Sequence, residues 1–426
     1  MSGIVTSNVF RGSGVIAATA AGISFQSSVT TGTTLTVEAG NGYFIDTTSN
    51  ICTVTLPSAA SKGDQIILID FARTWGTYSV FIDSNGLNYQ TQDDTYTVEY
   101  STSGATVNLI YSDATTGWTP ISDDVVADTP VAPPTQKALF GFGSTGSRVS
   151  TTNLVNSSGV VATDTTGVGT ARDSLAASAY GGDKAIFGYG NTGSRVSTTN
   201  LVSNSGVVAT DTTGVGSARQ ALAAASYGLD KAIFAYGNTG SEVSMSNLVT
   251  NVGVVGTDVT GVGTARSGIA ACRYGVGLAI FGYGYNAGAG NSQNVTNKVS
   301  NVGVVASDTT GVGSTRASLA AAAYGGDKGI FGYGSNDAGG GESITNKVSN
   351  TGVVASDTTG VGTARNYLAA ADYGGDKAIF GYGFYDGTTN VSMTNLVSNT
   401  GTVASDTTGV GTARHNPAAV GYSFSA

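Results

Sequence analysis

The stretch SNTGVVASDTTGVGTARNYLAAADYGGDKAIFGYG, residues 349–383, decides the fold, because near-copies of it fill the chain from about residue 137 onward. An arginine closes the TAR-like motif of every copy, and successive arginines are 47, 47, 50, 49 and 49 residues apart. A nearly fixed period of this size is typical of a solenoid or a propeller, in which each copy is one supersecondary unit that cannot bury its apolar face alone.

Each copy reads as four short β-strands. KAIFGYG is an apolar run stopped by glycines, and SMTNLVSNTG alternates polar with apolar residues. VVASDTTGVG ends in a Thr/Gly turn, and RNYLAAADYGG supplies a fourth run of small residues. These patterns predict strands rather than helices. Four strands per copy is the arrangement of a blade in a β-propeller.

The two ends of the array complement each other. The first copy begins at KALFGFG, residues 137–143, without a preceding Arg and Ala-rich run, whereas the last copy ends in ARHNPAAVGYSFSA without a following KAIFGYG. Residues 414–424 are therefore expected to pair with the segment that starts at Lys137, which closes a ring and removes its exposed sheet edges. Residues 137–426 are predicted to be a six-bladed propeller; seven blades become possible if the first 136 residues contribute strands.

The repeat also resembles a known family. The run R-x-x-L-A-A-A-x-Y-G-x-D-K-A-I-F-G-Y-G, found at residues 365–383, is similar to the kelch repeat, in which an Arg and small residues precede an apolar strand ending in two glycines. The resemblance covers about residues 137–424. It implies the propeller fold, and it implies neither a partner nor an activity.

Composition limits the class of protein. Of 426 residues 63 are glycine and only 11% are charged, which indicates a Gly-rich all-β protein. The net charge of −9 and the absence of a Lys/Arg cluster exclude nucleic acid as a ligand. Cys52 and Cys272 lie in apolar surroundings in different predicted domains, so buried free thiols are expected rather than a disulfide.

The N-terminal third is predicted to have three parts. Residues 1–35 are low in charge and have little to fold around alone, so they are expected to dock on a partner or on sister chains; a frayed terminus is the alternative. Residues 36–122 alternate polar and apolar residues between turn signals, which predicts an antiparallel β domain. Residues 123–136, DDVVADTPVAPPTQ, hold three of the six prolines and predict a linker.

A second resemblance concerns function. The order of strands and turns over residues 36–122 is similar to β domains in tail-fibre and head-fibre proteins of tailed bacteriophages, which are often trimeric. Copies close to DTTGVGTAR and DKAIFGYG resemble repeats in structural proteins of marine and cyanobacterial phages. The resemblance implies a homotrimeric virion fibre or appendage whose N-terminal region binds other virion proteins.

The chain has no segment typical of secretion or membrane insertion. The first residues lack an apolar run long enough for a signal peptide, and no later stretch approaches about 20 apolar residues. We expect synthesis in a host cytoplasm and release by lysis, which fits a location in the virion.

Catalytic machinery, a metal site and a cofactor are not predicted. The single histidine, His415, cannot build a Ser-His-Asp relay or a His-rich metal site. An Asp precedes each motif Arg by eight residues, once per copy, whereas a glycosidase needs two carboxylates at one site. These pairs are predicted to cap turns and to join strands or blades. The positions are Asp164, Arg172, Asp211, Arg219, Asp258, Arg266, Asp308, Arg316, Asp357, Arg365, Asp406 and Arg414.

All variation in the length of the copies falls in one connector, between the last Gly of FGYG and the Asn of NLV or NKV, with 9, 9, 9, 12, 11 and 11 residues. Variable loops on a constant scaffold are where binding usually occurs, although drift of exposed loops is an alternative. The longer connectors, 285–296, 335–345 and 384–394, are the predicted binding face. Their candidate ligand-binding residues are Tyr285, Asn286, Asn291, Asn336, Asp337, Glu342, Tyr385 and Asp386.

Three functions follow from these features. The leading hypothesis is a non-enzymatic phage appendage whose N-terminal region anchors it to the virion and whose propeller binds a host-surface glycan or receptor. The alternative is a capsid decoration or head-fibre protein with a spacer or weakly adhesive propeller. A third class, an enzyme that acts on polysaccharide, lacks a visible acid/base pair.

Overall fold

Every regular element of the structure is a β-strand within the residues described, 22–123 and 136–425 of a computed structural model. Over those ranges there is accordingly no helix long and apolar enough to cross a membrane. The predicted all-β class is confirmed. The chain divides between residues 132 and 133 into two compact units.

Nine strands are described in the N-terminal unit. They are β1 (Ser24–Thr30), β2 (Thr34–Thr36), β3 (Asn41–Ile45), β4 (Cys52–Thr55), β5 (Gln65–Asp70), β6 (Val80–Asp83), β7 (Val98–Tyr100), β8 (Thr106–Tyr111) and β9 (Trp118–Asp123). One sheet has the order β1-β3-β5-β8-β9 and the other the order β2-β4-β6-β7. Between the sheets lies a core that includes the fully buried Trp75 and Trp118.

The prediction of an antiparallel domain over residues 36–122 is wrong for the first six strands. After each of the first five strands the chain crosses to the other sheet, and it returns in the same direction, so β1, β3 and β5 are parallel neighbours, as are β2, β4 and β6. Only β6–β7, β5–β8 and β8–β9 are antiparallel. Each sheet buries one face, so the sequence alternates in the same way for both pairings.

The described part of the predicted docking segment, 1–35, belongs to these sheets. Residues 24–30 form β1 and pair with β3, and residues 34–36 form β2 and pair with β4. The rest of that segment, residues 1–21, lies outside the described residues, as do residues 124–135 of the predicted linker 123–136.

The C-terminal unit contains six sheets of three strands. Their strands are β10 (Lys137–Gly141), β11 (Thr152–Val155), β12 (Ala176–Tyr180), β13 (Lys184–Gly188), β14 (Thr199–Val202), β15 (Ala223–Tyr227), β16 (Lys231–Ala235), β17 (Ser246–Val249), β18 (Ala270–Tyr274), β19 (Leu278–Gly282), β22 (Thr296–Val299), β23 (Ala320–Tyr324), β24 (Lys328–Gly332), β25 (Thr345–Val348), β26 (Ala369–Tyr373), β27 (Lys377–Gly381), β30 (Thr394–Val397) and β31 (Ala418–Tyr422). The remaining strands form hairpins in two connectors: β20 (Tyr285–Asn286), β21 (Asn291–Ser292), β28 (Phe384–Tyr385) and β29 (Thr389–Asn390).

The strand predicted at VVASDTTGVG, and at the equivalent segment of each copy, is reduced to two isolated bridges. In the first copy these join Val155 to Val161 and Thr152 to Thr165. Between them the side chain of Asn153 in β11 donates to the carbonyl of Ala162 over 3.0 Å, where a regular ladder has a backbone donor. The equivalent asparagine of every copy makes the same contact.

The six sheets contact one another in cyclic order, and we call this assembly the six-sheet cycle. The Ala-rich first strand of each sheet touches the first strand of the next, through β12, β15, β18, β23, β26 and β31, and β31 also touches β12. In the sheet that contains both ends of the array, β31 pairs antiparallel with β10, from Lys137 opposite Tyr422 to Gly141 opposite Ala418. The pairing predicted between these two segments is therefore present.

Aromatic rings and backbone hydrogen bonds repeat at all six junctions. The ring of the aromatic residue that follows each middle strand packs on a Phe ring of the next sheet, with ring centroids 5.0–5.4 Å apart. The contact between Tyr382 and Phe140 joins the last sheet to the first. The turn after each first strand also donates a backbone N–H to the next sheet. The donor–acceptor pairs are Gly181–Asp230, Gly228–Gly277, Gly275–Asp327, Gly325–Asp376, Gly374–Gln136 and Ser423–Asp183.

Candidate functional site

The motif arginines are the largest charged groups inside the six-sheet cycle, and all six are fully buried. At a representative junction, Arg365 donates to Tyr382 O over 2.9 Å, to Asn395 Oδ1 over 2.6 Å and to Thr363 O over 3.1 Å. Its guanidinium carbon lies 4.5 Å from the ring centroid of Tyr333 in the preceding sheet. Arg365 thus binds the segment that enters its sheet, the third strand of that sheet and an aromatic ring of the sheet before it. The ring contact recurs at all six motif arginines, with the guanidinium carbon 4.2–4.9 Å from the ring centroid.

Each arginine pairs with the aspartate of the following copy rather than with the aspartate eight residues before it. The Nη1–Oδ1 distances are 3.8 Å for Arg172–Asp211, 4.0 Å for Arg219–Asp258, 3.5 Å for Arg266–Asp308, 3.5 Å for Arg316–Asp357, 3.8 Å for Arg365–Asp406 and 4.0 Å for Arg414–Asp164. The last pair joins the two ends of the array. Burial lowers the pKa of Arg172 to about 10, so this arginine stays charged at neutral pH.

The aspartates act as turn acceptors. Asp406 accepts hydrogen bonds from the backbone N–H of Thr363 over 3.0 Å, from its hydroxyl over 2.6 Å and from the Asn395 amide over 2.9 Å. Burial raises the pKa of this carboxyl, but these hydrogen bonds and Arg365 outweigh burial and hold the pKa below its ordinary value. The other five aspartates show the same direction and the same causes. Because each carboxylate serves a different junction, they form no acid/base pair.

We expect the stability of the C-terminal unit to fall in acid. An unfolded Asp titrates near pH 3.9, and all six carboxyls have lower pKa values in the folded chain. Their contribution is therefore fully present above about pH 4 and is lost as the pH falls through the folded values. Urea unfolding at about pH 7 and about pH 3 should show a lower midpoint in acid. Asp211→Asn should reduce the difference between the two midpoints, whereas equal midpoints would contradict the assignment.

The long connectors hold four of the eight predicted ligand-binding side chains in local hydrogen bonds. Asn286 Oδ1 accepts from Ala289 N–H over 2.8 Å, and Asn336 donates to Glu342 over 2.7 Å. Asp386 accepts from the Thr389 and Thr388 N–H groups over 3.0 and 3.2 Å. These hydrogen bonds lower the pKa of Asp386, together with that from the Thr388 hydroxyl.

The other four predicted residues are two exposed tyrosines and two polar residues with hydrogen bonds in the connectors. Tyr285 is 38% exposed and Tyr385 is 47% exposed. Asp337 accepts from Ser292 N–H over 2.7 Å and so joins two neighbouring connectors. Asn291 is exposed in β21 and accepts from the Gln293 amide. The eight candidates thus form a set of supported turns that present tyrosine rings to solvent.

A cavity of about 150 Å³ lies at the centre of the six-sheet cycle. All six sheets line it with the same segment, which runs from the turn before the first strand into that strand, and the strand side chains are mainly alanine. A closed ring of backbone hydrogen bonds of 2.8–3.2 Å joins the turns. The N–H donors and carbonyl acceptors are Ala221–Ser174, Gly268–Ala221, Ser318–Gly268, Tyr367–Ser318, Asn416–Tyr367 and Ser174–Asn416. The lining residues include no carboxylate, imidazole or amine.

One cluster beside this ring was not predicted. The Phe384 and His415 rings stack with centroids 3.8 Å apart and an interplanar angle of 18°, and His415 Nδ1 lies 2.8 Å from Asn390 Oδ1. The ring of Tyr367, a cavity-lining residue that is 39% exposed, stands at 87° to Phe384 with centroids 6.0 Å apart. Burial lowers the pKa of His415. The sequence does contain a signal for this cluster, because Tyr367 is the one aromatic residue at its position in the repeat. The other five copies have Ser, Ala, Gly, Ser and Asn there.

Among the residues that the structure describes, no three His, Cys, Asp or Glu side chains come together as a metal site would require. Cys52 and Cys272 are buried and free, and burial raises their pKa values to about 11 and about 12. Neither thiol has the lowered pKa of a reactive cysteine.

No protein-family model matches the chain, and no curated protein matches it in sequence.

Proposed function

We propose that the six-sheet cycle is a six-bladed β-propeller and that the chain is a non-enzymatic appendage protein of a bacteriophage virion. The cyclic order of the sheets supports the propeller, as do the antiparallel β10–β31 pair and the ion pair between Arg414 and Asp164. The N-terminal region would anchor the chain to other virion proteins, with the chain acting as a homotrimer. The resemblance of its repeats and β domain to phage structural proteins supports that assignment.

The observation that supports a binding role is that the repeated polar residues have structural partners, whereas the connectors expose side chains to solvent. The repeated Arg, Asp and Asn side chains bind one another or the backbone at the junctions. Two of the three longer connectors expose a tyrosine to solvent, Tyr285 and Tyr385. All six connectors leave the same end of their sheets, because each follows the second strand. We assign host-surface recognition, with glycans as the ligand class, to the face formed by residues 285–296, 335–345 and 384–394.

Shortening these connectors tests the recognition role. We expect phage that carry the shortened chain to assemble normally and to lose adsorption to host cells. The natural nine-residue connector at residues 191–199 is a suitable replacement, because it spans the same two strands of a sheet. Exchanging residues 144–152 for residues 191–199 is the matched control. Unchanged adsorption with all three connectors shortened would refute recognition by this face.

A capsid decoration protein with a spacer propeller is the second candidate. It is favoured by the turn hydrogen bonds of Asn286, Asn336 and Asp386, which engage side chains otherwise free for a ligand. Deleting residues 137–426 separates the two functions, because a decoration protein should leave infection nearly unchanged. Release of reducing ends from host polysaccharide by the purified chain would contradict both and indicate an enzyme.

A further inference from the structure

One junction of the six-sheet cycle departs from the other five. At a typical junction, two residues from neighbouring sheets meet: the first residue of one connector and the residue that follows the next motif arginine. An example is Asn191, which donates a hydrogen bond to Gln220. The matching residues at the junction that closes the cycle are Phe384 and His415, which stack instead. With Tyr367 they form what we call the aromatic corner.

The fold does not require these rings. Tyr367 has a φ of 53°, in the left-handed region that bulky residues rarely adopt. All six equivalent turn residues have positive φ, and the other five are Ser174, Ala221, Gly268, Ser318 and Asn416. The turn and its backbone hydrogen bond therefore form equally well with a small residue. A large, 39% exposed side chain held in a strained backbone conformation beside a cavity is typical of a functional position.

The chemistry of the aromatic corner fits one class of ligand. The faces of aromatic rings carry partial negative charge, and the C–H groups on one face of a pyranose carry partial positive charge, so the two stack. Polar groups adjoin the rings: Asn390 accompanies His415, and Asp386 follows Phe384 in the same hairpin. Asp386 is ionised at neutral pH and the chain has a net charge of −9, so acidic sugars are disfavoured.

We propose that the aromatic corner, Tyr367, Phe384 and His415, binds a neutral saccharide ring stacked on its aromatic faces. The inference rests on the proposed function, because it places the glycan within the recognition face. It also narrows that function, since it assigns the ligand to one of six junctions and selects uncharged over acidic sugars.

The only histidine of the chain provides a direct readout, because every imidazole NMR signal comes from the proposed site. The full-length chain would be labelled on histidine and titrated with methyl glucoside, methyl N-acetylglucosaminide and methyl glucuronide. We expect the His415 signals to shift and saturate at millimolar concentrations of at least one neutral glycoside. The glucuronide should bind more weakly than methyl glucoside.

Two substitutions test whether the saccharide binds at the aromatic corner. Tyr367→Ser introduces the residue found at two equivalent turns and should weaken binding by roughly tenfold, the effect of one lost aromatic contact. Tyr78→Ser is the matched control, because Tyr78 is 40% exposed, nearly as much as Tyr367, but belongs to the N-terminal unit and not to the recognition face. It should leave the affinity unchanged.

Other outcomes would overturn the inference. If no neutral glycoside shifts the His415 signals, or if Tyr367→Ser binds as the parent chain does, the aromatic corner is not the site. The proposed function would still stand if loss of adsorption followed connector shortening. If connector shortening leaves adsorption unchanged while glycosides bind at His415, the site exists but the recognition role fails.

Discussion

Replacing the buried Arg365 with methionine is expected to destabilise the C-terminal unit by about 3 kcal/mol. The substitution leaves Tyr382 O and Asn395 Oδ1 without the donors they have in the folded chain. It also removes the cation from Asp406. Loss of one partner of a buried pair costs about 3–5 kcal/mol, and the low end applies because the Asp406 side chain retains 29% exposure. The midpoint of urea unfolding measures the effect.

An exposed arginine provides the control for Arg365→Met. Arg195 lies on the surface and donates to Asn238 Oδ1 over 2.8 Å. Arg195→Met should change stability by less than about 0.5 kcal/mol, as surface substitutions usually do. Equal effects of the two substitutions would mean that the junction network does not stabilise the fold.

Removing the closing strand is expected to have a still larger effect. A chain that ends at Arg414 lacks β31, whose Val420 and Tyr422 are almost fully buried. It leaves β10 with one neighbour, and β12 and β26 lose the strand they both contact. The loss of this apolar area is on the order of 5 kcal/mol or more, comparable with the stability of a whole domain. We expect an expanded, aggregation-prone chain, measured by light scattering and small-angle X-ray scattering.

A peptide added in trans distinguishes loss of the closing strand from general damage. The peptide of residues 415–425 should bind the truncated chain and restore its compact dimensions. The same peptide with Val420→Asp should fail, because it places an unpaired charge in the core. A truncated chain that stays compact and monomeric without the peptide would contradict both strand closure and the proposed propeller.

The sequence predicted the features that every copy shares and missed those that only one copy has. Pairing of residues 414–424 with the segment that starts at Lys137 follows from the complementary ends of the array, and it is observed between β31 and β10. The strand predicted at VVASDTTGVG does not form as a regular strand, because a side-chain amide such as that of Asn153 replaces part of the backbone ladder. Alternation of polar and apolar residues does not reveal such a replacement. The aromatic corner was missed because periodicity selects recurring residues, whereas Tyr367, Phe384 and His415 are exceptions to the repeat.

The N-terminal unit shows a different limit. Alternating burial along β5 indicates a strand with one buried face but not the direction of its neighbours. Direction depends on where the chain goes between strands, and here it crosses to the second sheet and back. The lengths of the connections do not distinguish that route from a series of hairpins.

The position of Gln136 has a mechanical consequence. This residue immediately precedes β10 and accepts the backbone hydrogen bond of Gly374. Tension that arrives from the preceding chain would therefore act along β10, which lies between two antiparallel neighbours, β11 and β31. Such a pull shears many hydrogen bonds at once instead of peeling them one by one, so the attachment point is suited to bearing a load.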